Sequence, residues 1–188
     1  MTDRSPTELT LLDPACTRAD AAAVIARAVE GGCAAVCLPP TLFPLRDVPE
    51  GLRLVSVAGY PSGKHHPLVK ASEAHMAVVN GAHEVHAVLD AANVAAADLN
   101  AMISEIVTLR EAVPYPAMLR VSPGEGGPDL DDDQLRAFCR AAVTAGADTV
   151  AARSGDQAAV MLDAVAGTTV TVSSPDRLPG VARVTVPS

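Results

Sequence analysis

The chain has 188 residues, a length that suits one domain and can bury a full core. Hydrophobic residues make up 49% of it but aromatics only 2%, with no Trp, so it is globular rather than disordered and its core must be Ala, Val and Leu. The formal net charge of -8 repels phosphate backbones, which argues against nucleic-acid and anionic-membrane binding and reads most simply as solubility.

In chain order, Leu9 to Leu12 is a short apolar run of the kind that forms a buried parallel strand. Thr17 follows, with Asp20 three residues on, a capping pattern that opens an Ala-rich helix running to Glu30. Gly31-Gly32 closes that helix, and Ala34 to Leu38 is the second predicted strand. Leu52 to Val57 is the third strand, Pro67 to Asn80 a helix, and Gly81 the break before a fourth strand, Glu84 to Leu89. A helix is predicted over Ala95 to Ala112 and a strand over Ala117 to Val121. Asp131 to Asp133 place negative charge at the head of a helix to Ala145, where it suits the helix dipole. Gly146 then precedes the strand Thr149 to Ala152, Asp156 to Ala164 is helical, and Thr168 to Val172 and Arg183 to Val186 are the last two strands.

The recurring order of helix, Gly and strand implies a parallel sheet with right-handed crossovers. Eight strands point to an α/β fold of the (β/α)8 TIM-barrel type, with residues 1–188 as a single domain. An open doubly wound sheet is the rival, but no Gly-rich phosphate loop follows the first strand. The barrel is expected to be reduced at its C-terminal end, with helices 7 and 8 short or missing. The stretch from Val172 to Arg183 barely reaches the ~10–12 residues that a parallel crossover needs, and only Pro187 and Ser188 follow Val186. A flank stripped of helices leaves apolar strand surface in water unless another chain covers it, which argues for oligomerisation.

The four cysteines, Cys16, Cys33, Cys37 and Cys139, form no CxxC pair and read as reduced thiols, so a cytoplasmic protein is expected. No basic-then-apolar start resembles a signal peptide, and no apolar run is long enough to span a bilayer.

Several segments carry a family resemblance. They are Leu9-Thr10-Leu11-Leu12-Asp13-Pro14 followed by Thr17, Ala35-Val36-Cys37-Leu38-Pro39-Pro40, and Val57-Ala58-Gly59-Tyr60-Pro61-Ser62-Gly63. Further along come Lys70, Glu73 and Ala74, then Gly81-Ala82-His83-Glu84-Val85-His86, then Ala145-Gly146-Ala147-Asp148. In order and spacing, from about Thr7 to Asp156, these resemble the deoxyribose-phosphate aldolases, with one small insertion near Gly126 to Pro128. The resemblance implies a class I aldolase barrel, a lyase that holds its aldehyde as a Schiff base on a strand-six lysine. It implies no cofactor and no metal. A second cation nearby lowers the pKa of such a lysine.

Matched residue by residue, the Schiff-base position falls on Ala151 and the strand-seven helper lysine on Thr171. The strand-four aspartate falls on His86 and a strand-five lysine on Arg120, which stays charged and forms no imine. Ser174-Pro175 replaces the family's phosphate-binding Gly-Gly turn, while Arg177 matches its basic residue. The chain has only two lysines, Lys64 and Lys70, and none after Lys70. The expected protein is therefore a catalytically degenerate relative, a binding or assembly subunit that forms homo-oligomers or pairs with an active paralogue.

Two other readings stand beside it. The first is an aldolase or lyase with relocated chemistry, using a Lys64 imine or Glu84 and His86 as an acid–base pair on one strand face; solvated loop lysine and hydrogen-bonded lumen pair are the competing roles. The second is a small-anion or phosphosugar binder using Arg120, Arg153 and Arg177, against which stands charge balance with Glu125, Asp156 and Asp176. His65, His66, His83 and His86 make a poor metal site, because His83 and His86 lie three apart on a strand and face opposite sides. Cys37 reads as a buried apolar residue with nothing cationic beside it in sequence.

Overall fold

The structure, a computed structural model, describes residues 7–124, 127–165, 169–173 and 183–187. Eight parallel strands close into a barrel in chain order. They are β1 (Thr7–Thr10), β2 (Ala35–Leu38), β3 (Arg53–Ala58), β4 (Glu84–Val88), β5 (Met118–Ser122), β6 (Thr149–Ala152), β7 (Thr169–Ser173) and β8 (Arg183–Pro187). β1 pairs with β8 at Thr7 to Val184 and Leu9 to Val186, which seals the ring. The helices are α1 (Arg18–Glu30), α2 (Pro67–Val79), α3 (Ala91–Ala95), α4 (Leu99–Ala112), α5 (Asp132–Thr144) and α6 (Gly155–Ala164). β2 and β3 are joined without an α-helix. A single 3-10 turn, Pro40–Leu42, and Phe43 pack there, with Leu42 and Phe43 both buried.

Capping residues begin these helices where the sequence places them. Thr17 accepts from the Asp20 N–H while the Asp20 carboxylate accepts from the Thr17 N–H, and Asp131 and Gln134 do the same for α5. The Gly junctions before β2, β4 and β6 carry their left-handed residue at Gly32, Gly81 and Gly146. The helix expected over Ala95 to Ala112 is two helices, because Ala97 turns left-handed (φ 52°) and Asp98 recaps the chain by accepting from Ala101 N–H. The first strand begins two residues earlier than its apolar run, so Glu8 belongs to it. Residues 174–182, where the seventh crossover was expected to be short, lie outside the described residues, as do Ser174, Pro175, Asp176 and Arg177.

The core between sheet and helices is the one the composition requires. Val36, Leu38, Leu54, Val85, Leu119, Val121 and Val150 point outward from the strands and bury against Ala21, Val24, Ala74, Ala77, Ile106, Leu109, Phe138 and Ala141 of the helices. Small side chains let the helices lie close on the sheet, and dense packing of this kind supplies most of the stability. Among the described residues, no helix is long and apolar enough to cross a membrane.

Candidate site at the barrel mouth

Several strands carry polar residues on the face opposite their Leu and Val, and four of them supply most of the set. Glu8 and Thr10 on β1, Glu84 and His86 on β4, and Arg120 and Ser122 on β5 alternate with Leu9, Val85 and Val121, and β8 adds Arg183 and Thr185, two residues apart. Alternation in a strand sends the two sets to opposite faces, so the polar set fills the lumen. β2 and β3 complete it with an apolar patch of Ala35, Cys37, Val55 and Val57.

The lower layer of the lumen is a closed ionic network. Arg120 Nε donates to Glu84 Oε1 at 2.6 Å, and its Nη1 and Nη2 donate to Glu8 Oε1 at 3.1 Å and Oε2 at 2.7 Å. Arg183 Nη1 donates to Glu8 Oε2 at 2.7 Å and to Glu84 Oε1 at 3.1 Å, while its Nη2 donates to Glu84 Oε2 at 2.8 Å. Arg120 is 1% exposed and Glu84 0%. Buried ions are tolerated at this depth only when each is paired and hydrogen-bonded, as all four are here.

The network sets the charge states around it. Burial alone would raise the Glu84 carboxyl, but attraction to Arg120 and Arg183 outweighs it and brings the pKa down to about 2. Glu8 is held below its ordinary value by the same contest between burial and Arg120. Arg120 is raised, because the two carboxylates outweigh its own desolvation. His86 is lowered to about 3, first by burial and then by the charge of Arg120. Burial pushes the Cys37 thiol well up. At neutral pH the lumen thus holds carboxylates, guanidiniums, a neutral imidazole and a neutral thiol. General bases work best with a pKa near the operating pH, so Glu84 and His86 as placed are feeble ones. A thiol held in its neutral form is a poor nucleophile.

Above the network, at the C-terminal ends of the strands, lies a cavity of about 40 Å³. Thr10, Tyr60, His86, Ser122, Ala151 and Arg153 are among the residues that line it. This is the end where barrels of this kind build their sites. Three buried polar atoms on its wall, Thr10 Oγ1, His86 Nε2 and Arg153 Nε, have no hydrogen-bond partner among the described residues. Buried polar groups are ordinarily satisfied, so these mark a place for polar guests. A water needs about 10–15 Å³, so the cavity as shaped takes two or three waters or one small anion.

The positions singled out from the sequence scatter around this cavity. Ala151 lines it and stands beside Thr171 in register on β6 and β7. Glu84 and His86 share the inward face as expected, but no hydrogen bond joins them among the described residues, since Glu84 is taken up by arginines. Arg120 is likewise taken up by Glu8 and Glu84. Arg153 Nη1 and Nη2 donate to the Gly127 and Pro128 carbonyls, so its charge is held by a loop rather than by Asp156. Arg177 and Glu125 lie outside the described residues.

Lys64 is exposed and pairs with Asp90 at 2.6 Å. Lys70 is buried; its Nζ donates to the Gly63 carbonyl at 2.6 Å and the Val88 carbonyl at 3.1 Å and pairs with Glu105. Its stem lies against Gly59, where any Cβ would collide with it, and Glu73 accepts from the Gly59 N–H at 2.8 Å. Lys70 and Glu73 thus hold the turn after β3. His83 faces outward and its Nδ1 accepts from Leu54 N–H at 3.0 Å. Sequence reasoning missed Glu8 and Arg183 as lumen residues. The polar–apolar alternation of Thr7 to Thr10 and Arg183 to Val186, matched to that of Glu84 to His86, is the signal that would have found them.

Comparison with known proteins gives the lineage. The chain is 46% identical over 156 residues to a deoxyribose-phosphate aldolase of Corynebacterium jeikeium, covering 79% of this chain and 62% of that one. It is 43% identical over 146 residues to that of Nocardia farcinica, covering 78% and 64%. The chain therefore spans just under two thirds of the length of these curated relatives. Among solved structures, the aldolase QR15 superposes with a TM-score of 0.87 at 20% identity, covering 99% of this chain and 92% of that one. The tetrameric deoxyribose phosphate aldolase of Aeropyrum pernix superposes at 0.80 with 24% identity, covering 96% and 85%. These two share the fold. No family model matches the chain.

Proposed function

Because the chain belongs to the deoxyribose-phosphate aldolase family, we propose that it is a member without imine chemistry, one that binds or assembles rather than cleaves. One observation carries this reading: Ala151, at the position matched to the Schiff-base lysine, faces the mouth cavity, and the chain's only lysines are engaged elsewhere, Lys64 on Asp90 and Lys70 on Glu105. An imine needs an amine at the carbonyl, and neither lysine is among the residues that line the mouth cavity. Borohydride trapping with acetaldehyde, read by peptide mass mapping, tests it. No adduct is expected on Lys64 or Lys70, and 2-deoxyribose 5-phosphate should not be cleaved. An adduct on Lys64 that vanishes in Lys64→Ala, with turnover lost in parallel, would establish relocated chemistry instead.

The assembly part of the reading is supported by α2. Its two charged residues, Lys70 and Glu73, point inward, while Leu68, Val69, Met76 and Val79 on its outer face are 63%, 56%, 55% and 64% exposed. Only Ser72 and His75 join them there. Interface cores are depleted of charge in this way, and monomers seldom leave such a face to water.

Small-anion binding at the mouth is a second reading, favoured by the unpartnered Thr10, His86 and Arg153 atoms. A whole phosphosugar exceeds a cavity of about 40 Å³, since small-molecule sites usually run to about 300–1,000 Å³. Thermal unfolding with phosphate and with formate checks this, because a ligand at about 100 times its Kd adds ~2.7 kcal/mol. No rise in Tm with either anion, or a rise that survives in Arg153→Gln, removes this reading.

A further inference from the structure

The opposite end of the barrel carries a larger opening. A cleft of about 600 Å³ lies at the N-terminal ends of β3, β4 and β5, within the usual range of about 300–1,000 Å³ for small-molecule sites. Its walls are mostly apolar: Leu52, Val78, Ala82, Ala117 and the prolines on either side of Tyr115. Arg53 is the only charged residue on that wall among the described residues.

Arg53 is a cation with capacity left over. Its Nη1 reaches Met118 Sδ at 2.9 Å and Glu84 Oε2 at only 3.4 Å, and Glu84 is already satisfied by Arg120 and Arg183. Its Nε and Nη2 have no hydrogen-bond partner among the described residues, and its side chain is 41% exposed. His83 adds a donor of fixed sense. Its Nδ1 accepts from the Leu54 N–H, so the neutral ring carries its hydrogen on Nε2.

The third wall is rigid and aromatic. Tyr115 is 72% exposed, yet Arg110 stacks on its ring at 4.4 Å. Arg110 is itself anchored, by Asp148 at 2.6 Å and by the Ala117 carbonyl at 2.9 Å, and Asp148 also accepts from the Leu119 N–H at 2.7 Å. An aromatic ring held in place before a ligand arrives loses little entropy on binding.

We propose that this cleft binds a small aromatic carboxylate, with the carboxylate on Arg53 and His83 and the ring against Tyr115 and its flanking prolines. The inference is independent of the mouth cavity and of the missing imine chemistry. A planar guanidinium with free donors suits a carboxylate, and the apolar walls suit an arene. A cationic arene meets the Arg53 charge and is rejected.

Phenylacetate is the probe, with 2-phenylethylamine as the cationic control. Titration of the full chain, followed by calorimetry and by amide chemical shifts, should show saturable binding of phenylacetate. Shifts should move at Gly51, His83 and Ala117 but not at Gly124 or Ala152. The amine should bind at least ~10-fold more weakly, and Arg53→Met should weaken phenylacetate by ~10-fold or more. Tyr115→Ser, a change at an exposed side chain, should weaken it several-fold and guards against a folding defect in Arg53→Met. No saturable binding at millimolar probe, equal binding of the amine, or shifts confined to the barrel mouth would each overturn the proposal. So would a finding that the Tyr115 change alters only the oligomeric state, which would make the cleft part of a subunit contact.

Discussion

Two lumen residues, His86 and Glu84, contribute strongly to how this protein responds to acid. His86 has its folded pKa depressed to about 3, so the unfolded chain takes up that proton first, near its ordinary value of 6.5. The contribution is present above about 6.5 and is lost as the pH falls below it. Glu84 follows, from its ordinary 4.5 down to its folded pKa of about 2, a shift worth ~3 kcal/mol that is present above about 4.5 and lost below it. Urea midpoints measured across pH should therefore decline in two limbs, and His86→Asn should flatten the upper one. A midpoint constant from pH 7 to 4 in the unaltered chain would contradict the assigned charge states. Removing the central cation is a harsher change. Arg120→Met leaves Glu8 and Glu84 in the lumen with Arg183 as their main cation, and breaking a buried pair costs about 3–5 kcal/mol. Equilibrium unfolding in urea reads that loss directly.

Among the elements, α2 departs most from a simple amphipathic pattern. Its hydrophobic period predicts the helix correctly, but the helix buries a lysine, half-buries a glutamate and exposes most of its larger apolar residues. The reason is the turn after β3, whose Gly59 and Gly63 come so close to Lys70 and to the Leu89 backbone that no Cβ fits. Lys70 ties this turn to β4 and, through Glu105, to α4. Burial raises the Glu105 pKa even against the pull of Lys70, so the pair is poised rather than strongly stabilising. Lys70→Met alone should destabilise by ~3 kcal/mol or more by leaving Glu105 without its cation, and Lys70→Met with Glu105→Gln should recover much of it. Urea titration of the single and double variants gives the coupling, and a double variant no better than the single would sink this account.

For the whole molecule, the question is what covers the outer face of α2. If this face is the subunit contact, Met76→Glu with Val79→Lys should shift sedimentation toward a smaller species while circular dichroism and Tm stay unchanged. Identical sedimentation of the variant and the unaltered chain would place the contact elsewhere or remove it. The flank first suspected from the sequence, beside β7 and β8, involves residues 174–182 and lies outside the described residues. The barrel otherwise separates its two ends cleanly. The mouth, where aldolase chemistry would be sited, is small and ringed by unpartnered polar atoms. The far end is open, apolar and marked by one under-used arginine.

The sequence by itself determined the barrel, most element boundaries to within a residue or two, and the absence of a lysine at Ala151 and Thr171. These are local or one-dimensional properties: helix period, capping residues, β-branched runs and the identity of a side chain. It also put Glu84 and His86 on one face, since alternation in a strand is a local rule. Only the tertiary structure decided which charges meet. Glu8 and Arg120 lie 112 residues apart, and Arg183 and Glu8 175 apart, yet closing the ring makes them lumen neighbours. Pairing of that kind depends on strand order and register, which join segments too distant in sequence for any local pattern to connect. The same closure turned Arg120 from a candidate anion ligand into the centre of a saturated network, and it left Arg53 at the other end with donors to spare.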